Sequence, residues 1–189
     1  MEPAAAIQRV AQQTSQIVDG ISPDQLSLPT PCAEWTVRDV INHITAGGII
    51  FATCVEQGSM PDEAMGALVT GDNLGDDYRR AFRAAANRAL AAFSTPGAAE
   101  KIVKLPFGEM PAGVALNLAV FDLMTHGADL AYATGQRIED EDLLQTALGV
   151  GQQMVGPELR AAGLFGPEQP APAGASTMER LLAFAGRRV

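Results

Sequence analysis

The sequence predicts an all-α protein, a four-helix bundle with additional short helices. Four long stretches carry apolar residues at helical spacing, and Gly and Pro punctuate the chain between them. Only one short segment, near 101–108, is β-branched in character, so a small extended excursion is expected there. Helices with one apolar face each hide it against one another, which makes a bundle the simplest arrangement.

The first helix is expected over 3–19, where Ile7, Val10, Ala11, Ile17 and Val18 form the apolar stripe and Gly20 ends it. Ser22-Pro23-Asp24 opens a short turn or helix, and the prolines of SLPTPC (27–32) force an extended crossover. Thr36 is the expected N-cap of the second helix, 37 to about 55, with Asp39 completing an acidic capping box. Gly47-Gly48 inside that helix weakens it or admits a neighbouring backbone. Residues 58–75 lack periodicity and read as a loop. A third long helix runs from Asp76 to Phe93, with Arg79, Arg80, Arg83 and Arg88 marking a solvated face or, alternatively, meeting an anionic substrate. Pro111 is the expected start of the fourth helix, which runs to about Thr134 and stops at Gly135. A further helix over 140–155, a surface connection over 156–174 and a short helix capped by Ser176 complete the chain.

A length of 189 residues suits one domain, 1–189, and the 47% hydrophobic and 19% charged content is that of a globular protein. The net charge of −9 argues against nucleic acid or an anionic membrane as partner, since both are polyanions. No apolar run approaches the roughly 20 residues of a membrane span. The segment MEPAAAIQRVAQQ lacks the basic and apolar blocks of a signal peptide. Cys32 and Cys54 form no close-spaced pair. A cytoplasmic protein acting on a small molecule is expected, with monomer or homodimer left open.

The chemistry concentrates in Phe121–Gly135, FDLMTHGADLAYATG. Asp122, His126 and Asp129 share one stripe of an otherwise apolar helix, and their burial needs compensation. The two histidines of the chain each follow an aspartate by one turn, in Asp39-x-x-x-His43 and Asp122-x-x-x-His126. Two structural Asp–His pairs satisfy this pattern. So does a metal site of His43, Asp122 and His126, a two-histidine, one-carboxylate set that suits zinc, nickel or ferrous iron. Asp39 and Asp129 would then orient the imidazoles. Cys54 lies about 16 Å further along the helix than His43 and cannot share the ion. Cys32, in the crossover, can approach it, although a small buried thiol is the simpler reading. Trp35 reads as a packing anchor.

LPTPCAEWTVRDVINHI (28–44) and FDLMTHGADLAYATG (121–135) resemble the DinB-like four-helix metalloprotein superfamily. More narrowly, they resemble its actinobacterial metal-binding branch, related to the N-terminal domain of mycothiol-dependent maleylpyruvate isomerase. MERLLAFAGRR (178–188) is similar to the tail of that branch. The resemblance implies a metal, usually zinc or nickel, held by one histidine of the second helix and an acid-x-x-x-histidine pair of a later one. Here those are His43, Asp122 and His126, with the shorter Asp122 standing where the isomerase has glutamate. The isomerase carries a second, C-terminal domain for which the segment after this bundle is too short, so its own reaction is not carried over.

The resemblance further implies chemistry on mycothiol or a similar thiol, because a cation beside a thiol favours the thiolate. The expectation is a divalent-metal-dependent enzyme of thiol transferase or isomerase type, with zinc first and nickel or iron as alternatives. Mycothiol is the expected cosubstrate and Asp129 the acid–base candidate. A metal-dependent small-molecule hydrolase and a non-catalytic metal- or ligand-binding protein remain compatible with the same residues.

Overall fold

The computed structural model describes residues 2–161, 163 and 165–189. Ala162 and Leu164, within the expected connection 156–174, lie outside the described residues, as does Met1.

Four long helices form a closed ring. They are α1 (Pro3–Gly20), α2 (Val37–Gln57), α4 (Tyr78–Phe93) and α5 (Ala112–Thr134), with α3 (Asp62–Thr70) between α2 and α4. α2 packs along α4 and α5, and α1 packs along the same two helices. Consecutive helices α1 and α2 therefore stand diagonally opposite, and the chain must cross one end of the bundle to join them. That crossing is the work of a short 3-10 turn, Pro23–Ser27, and the proline-containing loop after it. The loop is doubled on itself: the Thr30 N–H donates to the Trp35 carbonyl (3.0 Å) and the Val37 N–H to that of Leu28 (2.9 Å). Thr36 then caps α2 as expected, its hydroxyl accepting from the Asp39 N–H while the Asp39 carboxylate accepts from the Thr36 N–H at 2.9 Å.

Each helix buries the face its sequence marks as apolar, and Val10, Ile41, Phe82, Phe121 and Met124 meet in the centre. Helix α6 (Glu141–Met154) flanks α5, and α8 (Thr177–Phe184) packs on both. The expected extended excursion is an antiparallel hairpin, β1 (Ile102–Leu105) with β2 (Gly108–Pro111). Among the described residues no helix is long and apolar enough to cross a membrane.

Three expectations need correction. Residues 58–75 contain a helix, α3, which has two acids in its first turn and buries only Met65. One buried side chain in nine residues leaves no periodicity to read. Pro111 ends β2 and caps α5 with extended backbone instead of opening the helix. The surface connection holds one turn of helix, α7 (Pro157–Ala161). The arginines of α4 are also less free than a solvated face implies. Arg83 pairs with Asp19 of α1, Arg88 pairs with Glu56 of α2 (2.6 Å), and Arg79 donates to backbone carbonyls at the end of α1.

Packing is tight where α6 crosses α5. A β-carbon on Gly151 would lie 2.4 Å from Cε2 of Phe121, whose ring is fully buried. Gly151→Ala is expected to destabilise the fold by about 1–3 kcal/mol, because overpacking outweighs the helical preference of alanine. Gly149→Ala, where the same atom meets open space, should be neutral or stabilising. Chemical denaturation of the two variants checks the contrast.

Candidate metal centre

His43 projects from α2 and the pair Asp122 and His126 from adjacent turns of α5, so the α2–α5 contact brings all three together. Their donor atoms lie within 4.8 Å of one another. One oxygen, Oδ1 of Asp122, is 3.7 Å from Nε2 of His43 and 3.6 Å from Nε2 of His126. These gaps are too long for hydrogen bonds. They are close to the ~3.3 Å that separates donors around a tetrahedral ion with bonds of ~2.0–2.1 Å. The donor set, its convergence and the absence of direct bonds within it fit a divalent cation. The site is open on one side: the His43 and Asp122 side chains are 40% and 32% exposed, and that of His126 only 7%.

Behind His126 lies a chain of charge. Its Nδ1 is 3.0 Å from Oδ2 of Asp129, a carboxylate with no exposed surface. If Nδ1 carries the proton, as that contact requires, the Nε2 lone pair faces Asp122. Arg187 completes the chain from the C-terminal segment, with Nη2 at 2.9 Å and Nε at 3.2 Å from the Asp129 oxygens. The segment reaches this position by reversing at Gly186, which adopts φ +93° and passes close to the Gly166 backbone. A side chain at Gly186 would meet both obstacles.

The doubled loop covers the third side. Trp35 lies stacked over His126 with ring centroids 5.6 Å apart and tilted over His43 at 4.9 Å. Glu34, immediately before it, has the left-handed φ of 68° that few residues other than glycine adopt. Cys32 offers a second donor set with His126 and Asp129. Arg187 already holds the Asp129 carboxylate, however, and its charge opposes a cation there. His43, Asp122 and His126 are therefore the better set.

The electrostatics of the three groups differ. Burial opposes the Asp122 charge, but His126, His43 and Arg187 outweigh it and hold the carboxyl down at about 2. Burial lowers the pKa of His126 despite the nearby carboxylates, which favours the neutral ring a metal needs. Burial pulls His43 down too, yet Asp122 beside it raises the net value. The Cys32 thiol is pushed up by burial, with Arg187 opposing and Asp129 and Asp122 adding to the rise.

The structure thus brings His43, Asp122, His126 and Asp129 together. Asp39 is the exception, because it is spent on capping α2 and does not orient His43. Asp129 sits behind the ring of His126, away from the open side, a position suited to orienting that ring rather than exchanging protons with substrate. Sequence reasoning missed Arg187, whose partner lies 58 residues away, and took Trp35 for simple packing. Cys54 lies apart as expected, its thiol donating to the Lys104 carbonyl (3.2 Å).

The ring of four helices is the fold of the DinB-like proteins. Within that class, this chain belongs to the mycothiol maleylpyruvate isomerase N-terminal domain family, which matches residues 7–131. Uncharacterized proteins of two Mycobacterium tuberculosis strains are 35% identical over 195 residues, covering 100% of both chains. The crystal structure of the mycothiol-dependent maleylpyruvate isomerase superposes with a TM-score of 0.69 at 16% identity, covering 86% of this chain and 71% of that one. A histidine-to-alanine mutant of that enzyme gives 0.70 over the same shares.

Arg187→Ala is expected to cost about 3 kcal/mol, since it leaves Asp129 buried without its cation. Denaturant titration measures that loss. The pH dependence has a definite sign. The folded-state pKa of Asp122 lies below its ordinary 3.8, so its contribution is full above about pH 4 and is lost as pH falls towards about 2. Acid titration of metal-free protein should show this loss, and Asp122→Asn should flatten it.

Proposed function

We propose that this chain is a divalent-metal-dependent enzyme that joins a low-molecular-weight thiol, of the mycothiol type, to a small electrophile. The convergence of His43, Asp122 and His126 on one point, beside the loop that crosses the end of the bundle, carries the reading. Family membership supports the thiol, since the solved relative is a mycothiol-dependent isomerase. His43, Asp122 and His126 would hold the ion, with zinc the best match to two imidazoles and one carboxylate. When bound, such an ion stabilises a thiolate at neutral pH and polarises a carbonyl oxygen.

The protein's own groups do the rest. Asp129 holds the His126 ring in one orientation, and Arg187 holds Asp129 in place by donating to both of its carboxylate oxygens. Trp35 shields the inner face of both imidazoles from water, which strengthens electrostatic interactions beside them. The exposed flanks of His43 and Asp122 leave an approach for the thiol. No cysteine of the chain is needed as nucleophile, and the raised pKa of Cys32 keeps it a neutral thiol.

Protein purified without a histidine tag should carry about one equivalent of divalent metal by elemental analysis. His43→Ala, Asp122→Ala and His126→Ala should each abolish it, while Asp129→Asn should lower affinity by about 10–100-fold. The metal-loaded protein should consume mycothiol in the presence of an electrophile and lose that activity in chelator. Metal retained in all three ligand variants would sink the site. Turnover that proceeds equally well without thiol would make the protein a hydrolase.

A further inference from the structure

The two imidazoles of the proposed centre are held in different ways. A histidine that ligates a metal is ordinarily fixed by a hydrogen bond to its second ring nitrogen, and loss of that partner weakens binding. His126 has such a partner in Asp129, 3.0 Å from its Nδ1. His43 has none among the described residues. Its Nε2 faces Asp122, no hydrogen bond reaches its Nδ1, and Asp39, one turn before it, is engaged in capping α2. The backbone of α2 sets where the His43 ring lies, but its plane turns about the side-chain bonds unless a neighbour holds it.

Trp35 is that neighbour. Its ring centroid is 4.9 Å from that of His43 with the planes tilted by 51°, and 5.6 Å from that of His126 at 19°. The two imidazoles meet edge to face at 4.7 Å. All three separations fall within the range of about 4.5–7 Å over which aromatic rings attract in tilted, edge-on or offset-stacked arrangements. The indole is anchored in turn through its own backbone. The Trp35 carbonyl accepts from the Thr30 N–H (3.0 Å) and the Thr30 hydroxyl (2.9 Å), and its N–H donates to the Cys32 carbonyl (3.1 Å). Glu34 beside it keeps its left-handed φ of 68°, which a non-glycine residue retains only where the surroundings enforce it.

We infer that Trp35 is a positioning residue for the ion: it does for His43 what Asp129 does for His126, fixing the plane of the ring so that Nε2 stays aimed beside Oδ1 of Asp122. This rests on the reading of His43, Asp122 and His126 as ligands, although the hold on the His43 ring does not need the ion. An imidazole bound to a cation takes on part of its charge, and an indole face attracts positive charge, so the contact strengthens when the ion is bound. Leucine at this position fills space but offers no flat, electron-rich face.

The chain has one tryptophan and two histidines, so both sides of the contact can be followed in the full-length protein. Zinc affinity is measured against a competing chelator, at a temperature where circular dichroism shows every variant folded. Trp35→Leu should weaken zinc binding about tenfold, and Trp35→Phe, which keeps a flat ring, should stay within about threefold of wild type. Trp35→Met, long and apolar but not flat, should behave as Trp35→Leu does and guards against misfolding of that variant. In metal-free protein, imidazole NMR signals are assigned with His43→Ala and His126→Ala. The His43 signals should broaden in Trp35→Leu, while those of His126, held by Asp129, shift but stay sharp. A tryptophan that only packs lowers the melting temperature of these variants and leaves zinc affinity alone. Unchanged affinity in Trp35→Leu and Trp35→Met, or an equal loss in Trp35→Phe, overturns the proposal. If wild type binds no zinc, the ligand reading fails by itself, and a His43 ring that stays sharp in metal-free Trp35→Leu overturns the positioning role.

Discussion

A carboxylate buried in the middle of a helix is the constraint around which this molecule is arranged. Asp129 has no exposed surface, and an unpaired charge in such a place costs several kcal/mol. It is tolerated because His126 lies one turn before it on the same helix and because the C-terminal segment returns to lay Arg187 across its oxygens. The reversal at Gly186, the docking of α8 against α6 and α5, and the orientation of His126 all serve or exploit that pairing. Arg187, Asp129 and His126 lie in series, so a disturbance at the C-terminal segment is transmitted to the imidazole through two direct contacts.

Much of this was legible in the residues. The helices of the ring follow from apolar spacing, and the caps at Thr36 and Ser176 from local hydrogen-bonding chemistry. Asp122, His126 and Asp129 stand out as polar groups on one stripe of an apolar helix, and His43 as the other histidine with an aspartate one turn before it. Local patterns are short-range, and the failures lie where that range ends. Arg187 carries no mark in its own segment, one of two adjacent arginines whose difference is made only by where the chain turns. Asp39 obeys two local rules at once, cap and imidazole partner, and spacing alone does not say which wins. The cap wins because it satisfies backbone donors at the start of α2 that have few other partners. Trp35 reads only as a packing anchor in the sequence, because stacking on rings from two other helices is a tertiary fact. Helix α3 escaped because a helix that buries one residue leaves little pattern.

The two glycines of α2 stand in opposite surroundings a position apart. Gly48 lets α4 approach at short range, whereas a β-carbon on Gly47 would meet open space. The bundle is dense on its α6 side, where Phe121 presses against Gly151, and leaves a small apolar cleft between α2 and α4.

The diagonal placement of α1 and α2 has a consequence of its own. A connection that crosses the end of the ring necessarily becomes a ceiling over whatever lies there, and here it carries Trp35 and Cys32. The ceiling is tied to itself by backbone hydrogen bonds and to the helices below by the Trp35 ring, so its height depends both on loop length and on how that ring seats on the imidazoles. Insertions or deletions between residues 28 and 36 can raise or lower it while the imidazoles and Asp122 stay where α2 and α5 put them. The bulk that fits between loop and imidazoles is in this way set apart from the placement of the imidazoles themselves.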